Sequence, residues 1–599
     1  MADESSPLVR KDKSENEGGS AFTSSLGAVI TCLASAIGTG NIWRFPRIIA
    51  NNSGEKGCLQ FLIAWVPFLI LWCVPVLVIE YGVGRYTRKA TVLSFARLLG
   101  PMYGWLGAWI VLTSFIIGCF YAVIVGWYLY YLIITIGWEL PTTHGESEEI
   151  FRHYTEQTAL PILTHAIIVV MTAFALLYGV KIFEPLFKVM IPLLLVLMFA
   201  TFIWSMTLPH ATAGVTFTFS ADWEEIGKPG LWVDALVQNA WDTGSGSGLF
   251  LVLATYMTRT HGVVRYSTMV PVINDLVRFG EHNVNIFSVT HKFDGTSGHI
   301  CEFLYSLPSL SLMCSLTLFG VVFSFYLTAN PGMPLAPIVD LLKENGPANT
   351  GLTLIWVPIL YGTMTGGRVL CAIFFLCVLM AGWSSHITIV ESVVRNIEDF
   401  GVPRKLTVLG VTILMFLIGL PSALDINFLV NQDFVWGFSL LFCGTGLTIL
   451  ALKFGVRKFR DVVINEYGYL FDWHLPVVWI WVIRLLIPAQ ALFIFIWWTI
   501  EQIQSEVRPW YELWRESLMM CWVQWAGAVI VLLGCNLILV RYWPDISYRW
   551  GMYRQHIQGT SSSEKATEIT MGGDVDSPLV LTDSTHAYVS VGADQTDRV

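Results

Sequence analysis

Apolar runs long enough to cross a bilayer recur from residue 22 to residue 541 of this 599-residue chain. About 20 apolar residues span a hydrocarbon core of ~30 Å. Inside that core every backbone N–H and C=O must pair within the protein. The runs lie near 22–50, 58–84, 105–136, 160–180, 183–207, 230–257, 263–277 with 311–328, 365–395, 406–420, 432–454, 475–500 and 516–541. With 54% hydrophobic and 13% charged residues, the chain has too few charges for a soluble surface of its size. It reads as an all-α integral membrane protein of about twelve transmembrane helices.

Basic residues follow alternate runs. Arg85, Arg88, Lys89 and Arg97 follow the second and Lys181 the fourth; Arg395, Arg404 and Lys405 follow the eighth. Lys453, Arg457, Lys458 and Arg460 follow the tenth, and Arg541 and Arg549 the last. The opposite loop GESEEIFRHYTEQ (145–157) is acidic. The positive-inside rule then puts both termini in the cytoplasm of a multi-pass protein, expected in the plasma membrane. Residues 1–20 lack signal-peptide form, so the first helix is expected to direct its own insertion. The domain plan is a disordered tail over 1–20, a transporter domain over 21–541 and a largely disordered tail over 542–599. The eleven cysteines have no metal-type spacing.

Two runs are interrupted. ASAIGTGNIWRFP (34–46) puts Gly38, Gly40, Asn41 and Arg44 into the first, and QNAWDTGSGSG (238–248) puts Asp242, Gly244, Gly246 and Gly248 into the sixth. An unwound segment survives at membrane depth only where it lines a cavity or a site. Unwinding at Gly38 and Gly40 frees carbonyls for a cation and exposes a half-helix N-terminus to an anion. Close packing of small residues is the bland alternative. Asp242, ionisable at membrane depth, is a functional-site hypothesis by default. The two runs are corresponding positions if the first ten spans form two inverted five-helix repeats, with helices 11 and 12 appended. Paired breaks in helices 1 and 6 point to a transporter with a midplane site. No clustered nucleophile, metal set or acid–base group speaks for an enzyme.

SAIGTGNIWRFP, with VLVIEYGVGRY (76–86) and AGWSSHI (381–387), resembles the neurotransmitter:sodium symporter family. The bacterial leucine transporter is that family's structural archetype. The likeness is collinear from about residue 22 to 541 and fails clearly only around 278–310. It implies sodium-coupled symport of a small amino acid or related zwitterion by alternating access. Sodium is the implied coupling ion, with chloride as an additional ion in many members. Membrane lipid is the surrounding partner, no nucleic acid is expected, and the oligomeric state is not legible.

The resemblance carries over residue by residue. It implies a first sodium site from Ala36, Asn41, Asp242 and Asn274 together with the substrate carboxylate. A second would use the carbonyls of Ala34, Ile37 and Ala381 and the hydroxyls of Ser384 and Ser385. Those serines could instead bond along their own helix. The substrate carboxylate would meet the amides of Thr39 and Gly40 and the hydroxyl of Tyr121. Its side chain would meet Ile117, Trp241, Gly244, Ser247, Ser385 and Ile389. Gly38 stands where amine transporters of the family carry an aspartate, which favours an amino acid. Arg44 with Asp433 would form an outer gate; Tyr256 and Asp399 match inner-gate positions. The arginine expected before the first span is missing: Gly19 stands near its place, with Arg10, Lys11 and Lys13 farther away. Arg484 reads as a packing or interfacial arginine.

Asp242 departs from the archetype, which has a threonine there. Three readings stand: a stronger cation site, a substitute for chloride, or a proton-coupling group. Residues 278–310 depart too, with His282, His291 and His299 in no standard metal pattern. They split what would be one apolar helix, STMVPVINDLV (267–277) joined to SLMCSLTLFGVVF (311–323), with Ser311 near the family's chloride-ligand position. A re-entrant insertion and a non-native exon boundary or retained intron are both open; either could damage a sodium site. The competing functions are an osmolyte or amine transporter and a non-transporting sensor or defective splice form.

Overall fold

The computed structural model describes residues 21–258, 260–275, 310–343, 350–364, 366–504 and 509–542. The anomalous stretch, apart from Leu310, and nearly all of both predicted tails lie outside the described residues. Among the described residues there is no strand. The principal helices are α1 (Ser25–Ala36), α2 (Phe45–Asn51), α3 (Leu59–Thr87), α4 (Gly104–Gly137), α5 (Leu160–Leu176) and α6 (Val180–Met206). They continue with α7 (Pro229–Thr243), α8 (Leu249–Ala254), α9 (Val263–Asp275), α10 (Leu310–Ala329) and α11 (Gly367–Glu398). The last four are α12 (Arg404–Leu424), α13 (Ile426–Phe454), α14 (Val478–Gln504) and α15 (Leu518–Tyr542).

Nine helices among the described residues are long and apolar enough to cross a membrane, or eleven spans if each of two bent pairs counts as one. The sixth predicted run escapes that test for a local reason. Its glycines divide it into pieces of 15 and 6 residues. Proline disturbs α3 without ending it: Pro67 and Pro75 flank a π-helical turn, Leu69–Cys73, which absorbs the lost backbone bond.

Burial sorts the helices. Val189 and Val196 on α6, Leu409 and Leu417 on α12, and Ile530 and Leu537 on α15 are exposed apolar side chains. In a membrane protein such faces meet lipid. All six residues of α8 and ten of the twelve in α1 are buried. The interrupted helices are therefore the centre, and unbroken helices wall them in. Gly118 on α4 admits α11, since a Cβ there would stand 3.0 Å from Ile389 Cγ2.

Candidate functional site

Helix α1 stops where Ile37 turns extended (φ −74°, ψ 96°). A π-turn over Gly40–Arg44 leads into α2, and the two halves of the span meet at 50°. The Gly38 N–H donates to Asn41 Oδ1 at 2.9 Å, so the break is closed by its own side chain. Backbone freedom at Gly38 and Gly40 is not what this break uses, because neither has a positive φ. They supply room. A Cβ on Gly38 would lie 3.0 Å from Ser385 Oγ and 3.7 Å from Tyr121 OH; one on Gly40 would lie 3.2 Å from Asp242 Oδ1.

Most of the expected substrate and second-sodium residues gather here. Tyr121 OH accepts from Thr39 N–H at 3.4 Å and lies 3.0 Å from Thr39 Oγ1. Ile117 on α4 and Ile389 on α11 are buried beside them. Ser385 Oγ donates to the Ile37 carbonyl at 3.3 Å, linking α11 to the break. Ser384 does not reach across: its hydroxyl donates to Ala381 O, in its own helix, at 3.0 Å. Ala34, Ala36 and Ala381 are buried where α1 and α11 pack.

The second break is built differently. Gly244, Gly246 and Gly248 take φ of +65°, +92° and +75°, angles that a side chain disfavours. Gly246 also touches α13, where a Cβ would come within 3.0 Å of Gly444 Cα and N. The freed amides find a carboxylate: buried Glu80 on α3 accepts from Gly246 N at 2.6 Å and Leu251 N at 3.4 Å. Ser114 Oγ donates to Ser247 O at 2.9 Å, and Ser247 Oγ donates to Gly244 O. Trp241 lies against Gly437, beneath the Arg44 guanidinium at 4.8 Å from its ring centroid.

A polar chain joins the breaks. Asn41 Nδ2 donates to Ser311 Oγ (2.8 Å), and Ser311 Oγ donates to Asp275 Oδ1 (3.1 Å). Asn274 Nδ2 donates to Asp275 Oδ1 and to the Asp242 carbonyl, each at 3.0 Å. Gln238 Nε2 donates to Asp242 Oδ1 at 2.7 Å. The helix ends flanking the undescribed 276–309 thus meet through Ser311 and Asp275. Asn41, Asp242 and Asn274 come together despite the anomalous stretch. Buried Asp242 Oδ2, Asp275 Oδ2 and Asn274 Oδ1 accept no hydrogen bond. Unpaired oxygen acceptors at a helix break suit a hard cation.

The residues matched to the two gates make other contacts in this structure. Arg44 forms no ion pair with Asp433 within 4.0 Å; its Nε donates to Gln238 Oε1 at 3.1 Å. Gln238, inserted between the arginine and Asp242, takes the partner's place. At the other end Tyr256 OH donates to Glu391, not to Asp399. Glu391 is held by Arg404 at 2.6 Å, and Asp399 accepts from Ala90 N at 2.6 Å with Lys89 at 3.5 Å. Arg10, Lys11, Lys13 and Gly19 lie outside the described residues. Arg484 is exposed on a π-turn ahead of Ile487.

Sequence reasoning passed over Glu80, Gln238, Asp275 and Glu391. The acidic three carried the same signal as Asp242, a charge inside an apolar run. Gln238 carried none.

A model of the sodium:neurotransmitter symporter family matches residues 20–160 and 151–543. The chain belongs to that family. An uncharacterized sodium-dependent transporter of Methanocaldococcus jannaschii is 27% identical over 411 residues, covering 66% of this chain and 73% of the relative. The neutral amino acid transporter B(0)AT1 of Rattus norvegicus is 23% identical over 576 residues, 84% of this chain and 86% of its own. The dopamine transporter of Bos taurus is 23% identical over 520 residues, 78% and 67%. Among solved structures, MhsT in complex with L-phenylalanine superposes with a TM-score of 0.62 at 24% identity, covering 80% of this chain and 99% of MhsT. That likeness concerns the fold. As a member of this symporter family, the chain is a multi-pass, sodium-dependent membrane transporter rather than an enzyme.

Proposed function

We propose that the chain is a sodium-coupled symporter of a small amino acid or related zwitterion, working by alternating access. The observation that carries this reading is the missing side chain at Gly38. No acid stands there to pair an ammonium, while the Tyr121 hydroxyl, which accepts from Thr39 N–H, lies beside it with its own proton to donate to a carboxylate. B(0)AT1 and MhsT lend support from relatives whose names mention amino acids. In this reading Asn41, Asn274 and Asp242 with the Ala36 carbonyl hold one sodium. Ile37, Ala34, Ala381 and Ser385 hold the other, with Ser384 turning its hydroxyl to join. Ile117, Ile389, Trp241, Gly244 and Ser247 face the substrate side chain. Arg44 over Trp241 closes the outer path; Tyr256 with Glu391 closes the inner one. Both termini are cytoplasmic, and the membrane is the plasma membrane.

The test is sodium-dependent uptake of a pooled radiolabelled amino-acid mixture into proteoliposomes, by this chain and by one lacking 278–310. Uptake by both is expected, because the flanking helices keep the site assembled. Asp242 beside Gly40 favours a second reading, an amine substrate. Competition by amines but not by zwitterions would establish that reading and end the first.

A further inference from the structure

A cavity of about 480 Å³ lies between α6, α10, α11, the apolar stretch Leu352–Gly362 and the first break, apart from every donor set named above. That is the size of a small-ligand site. Its floor is buried: Ile42 belongs to the π-turn Gly40–Arg44, and Met313, Cys314 and Cys377 stand around it. Its rim, made by Thr201, Thr317, Leu318 and Phe374, is half-buried. The rim helices carry exposed apolar side chains close by, Ile203 on α6 and Val369 on α11, so the cavity adjoins the lipid face.

Among the described residues no charged side chain lines the cavity. The Thr201 and Thr317 hydroxyls donate within their own helices, to Met198 O at 2.9 Å and to Met313 O at 2.8 Å. Tyr361, 4% exposed, differs: its hydroxyl makes no hydrogen bond among the described residues. A buried hydroxyl without a partner calls for one. Depth singles out the ligand. Tyr361 sits against the start of α11, where a Cβ on Gly367 would collide with its carbonyl oxygen. Beside it the exposed Arg368 donates to Thr135 O at 2.9 Å, a charge that belongs at the edge of the hydrocarbon. Cys377 is ten residues beyond Gly367, about 15 Å along the helix axis. That is half of a ~30 Å hydrocarbon core, the depth of one leaflet.

We propose that this cavity holds one acyl chain of a membrane glycerophospholipid, its ester carbonyl accepting from Tyr361 and its tip resting on Ile42. Uncharged walls suit the hydrocarbon, and the charged headgroup stays outside at the level of Arg368. Through Ile42 the lipid touches the first break. The inference needs only the membrane fold and does not depend on which solute is carried.

The experiment uses the purified full chain in detergent, titrated with a phosphatidylcholine that carries a diazirine at the end of one acyl chain. After illumination, peptide mass spectrometry reads labelling of residues 310–318 and 371–378 against residues 518–542 on the lipid-facing α15. Saturable labelling of the first two segments is expected, with labelling of α15 rising in proportion to the probe. Cys314→Phe fills the cavity from α10 and should lower the signal at 371–378 about tenfold. Cys377→Phe fills it from α11 and should do the same at 310–318. Tyr361→Phe removes the hydroxyl, and the half-saturating probe concentration should rise roughly threefold. Size-exclusion profiles verify that each variant is folded. Labelling of the two segments that never saturates overturns the proposal, as does labelling indifferent to both cavity-filling variants. So does a diazirine sterol that takes these segments from the phospholipid at lower concentration.

Discussion

Where the first span breaks, between Ala36 and Phe45, every φ stays negative, and the opened Gly38 amide is closed by Asn41 three residues on. Where the sixth breaks, at Gly244–Gly248, three glycines take left-handed angles and the amides lean on Glu80 from another helix. The first break, closed by its own side chain, is tied to α4, α11 and α10 through the hydroxyls of Tyr121, Ser385 and Ser311. The second is pinned by α3, α4 and α13 at once. Hydroxyl ties at the first break are thus set against left-handed glycines and a buried carboxylate at the second.

The comparison can be broken by substitution, and the largest effect should come from the pinned side. Gly246→Ala meets both an unfavourable φ and the Gly444 backbone, so sodium-dependent uptake should drop about 100-fold or the chain should fail size exclusion. Gly38→Ala has no unfavourable φ to meet and presses chiefly on the Ser385 hydroxyl, which can rotate, so about tenfold is expected. The reverse order would show the first break to be the rigid one.

Glu80→Gln sharpens the same contrast by removing a charge that two amides use. Thermal unfolding in sodium-free buffer should show a loss of about 1.5–3 kcal/mol. Tyr121→Phe deletes the one hydroxyl that meets Thr39 in the first break; KM for the transported solute should rise about tenfold with little change in maximal rate. Gln238→Leu should have the smallest effect, roughly threefold in uptake, because it cuts only the bridge between Arg44 and Asp242. Its mark would be faster labelling of a cysteine introduced at Trp241, read with a membrane-impermeant thiol reagent.

Much of this was legible in particular residues. The glycines at 244, 246 and 248 foretold a break, and the family-specific run around Asn41 foretold which residues would surround it. Gly38 and Gly40 were misread in kind, since spacing cannot distinguish a glycine needed for its φ from one needed for its missing Cβ. Ser384 and Ser385 looked equivalent as neighbours in AGWSSHI. A 100° rotation per helical residue points one at Ile37 and the other back at Ala381. That Arg44 meets Gln238 was not legible, because it depends on where α7 places that side chain.

What the sequence by itself determined is the membrane fold and the family: the length and apolarity of each run, the two interruptions, and the charges that could not be there by chance. These are one-dimensional properties, set by bilayer thickness and backbone hydrogen bonding. Only the tertiary structure decided which charges meet. Asp275 and Asp242 are 33 positions apart in the chain, and Ser311 lies beyond a stretch that interrupts the pattern. Helix packing brings them together, because each buried polar group takes the partner that folding places within reach.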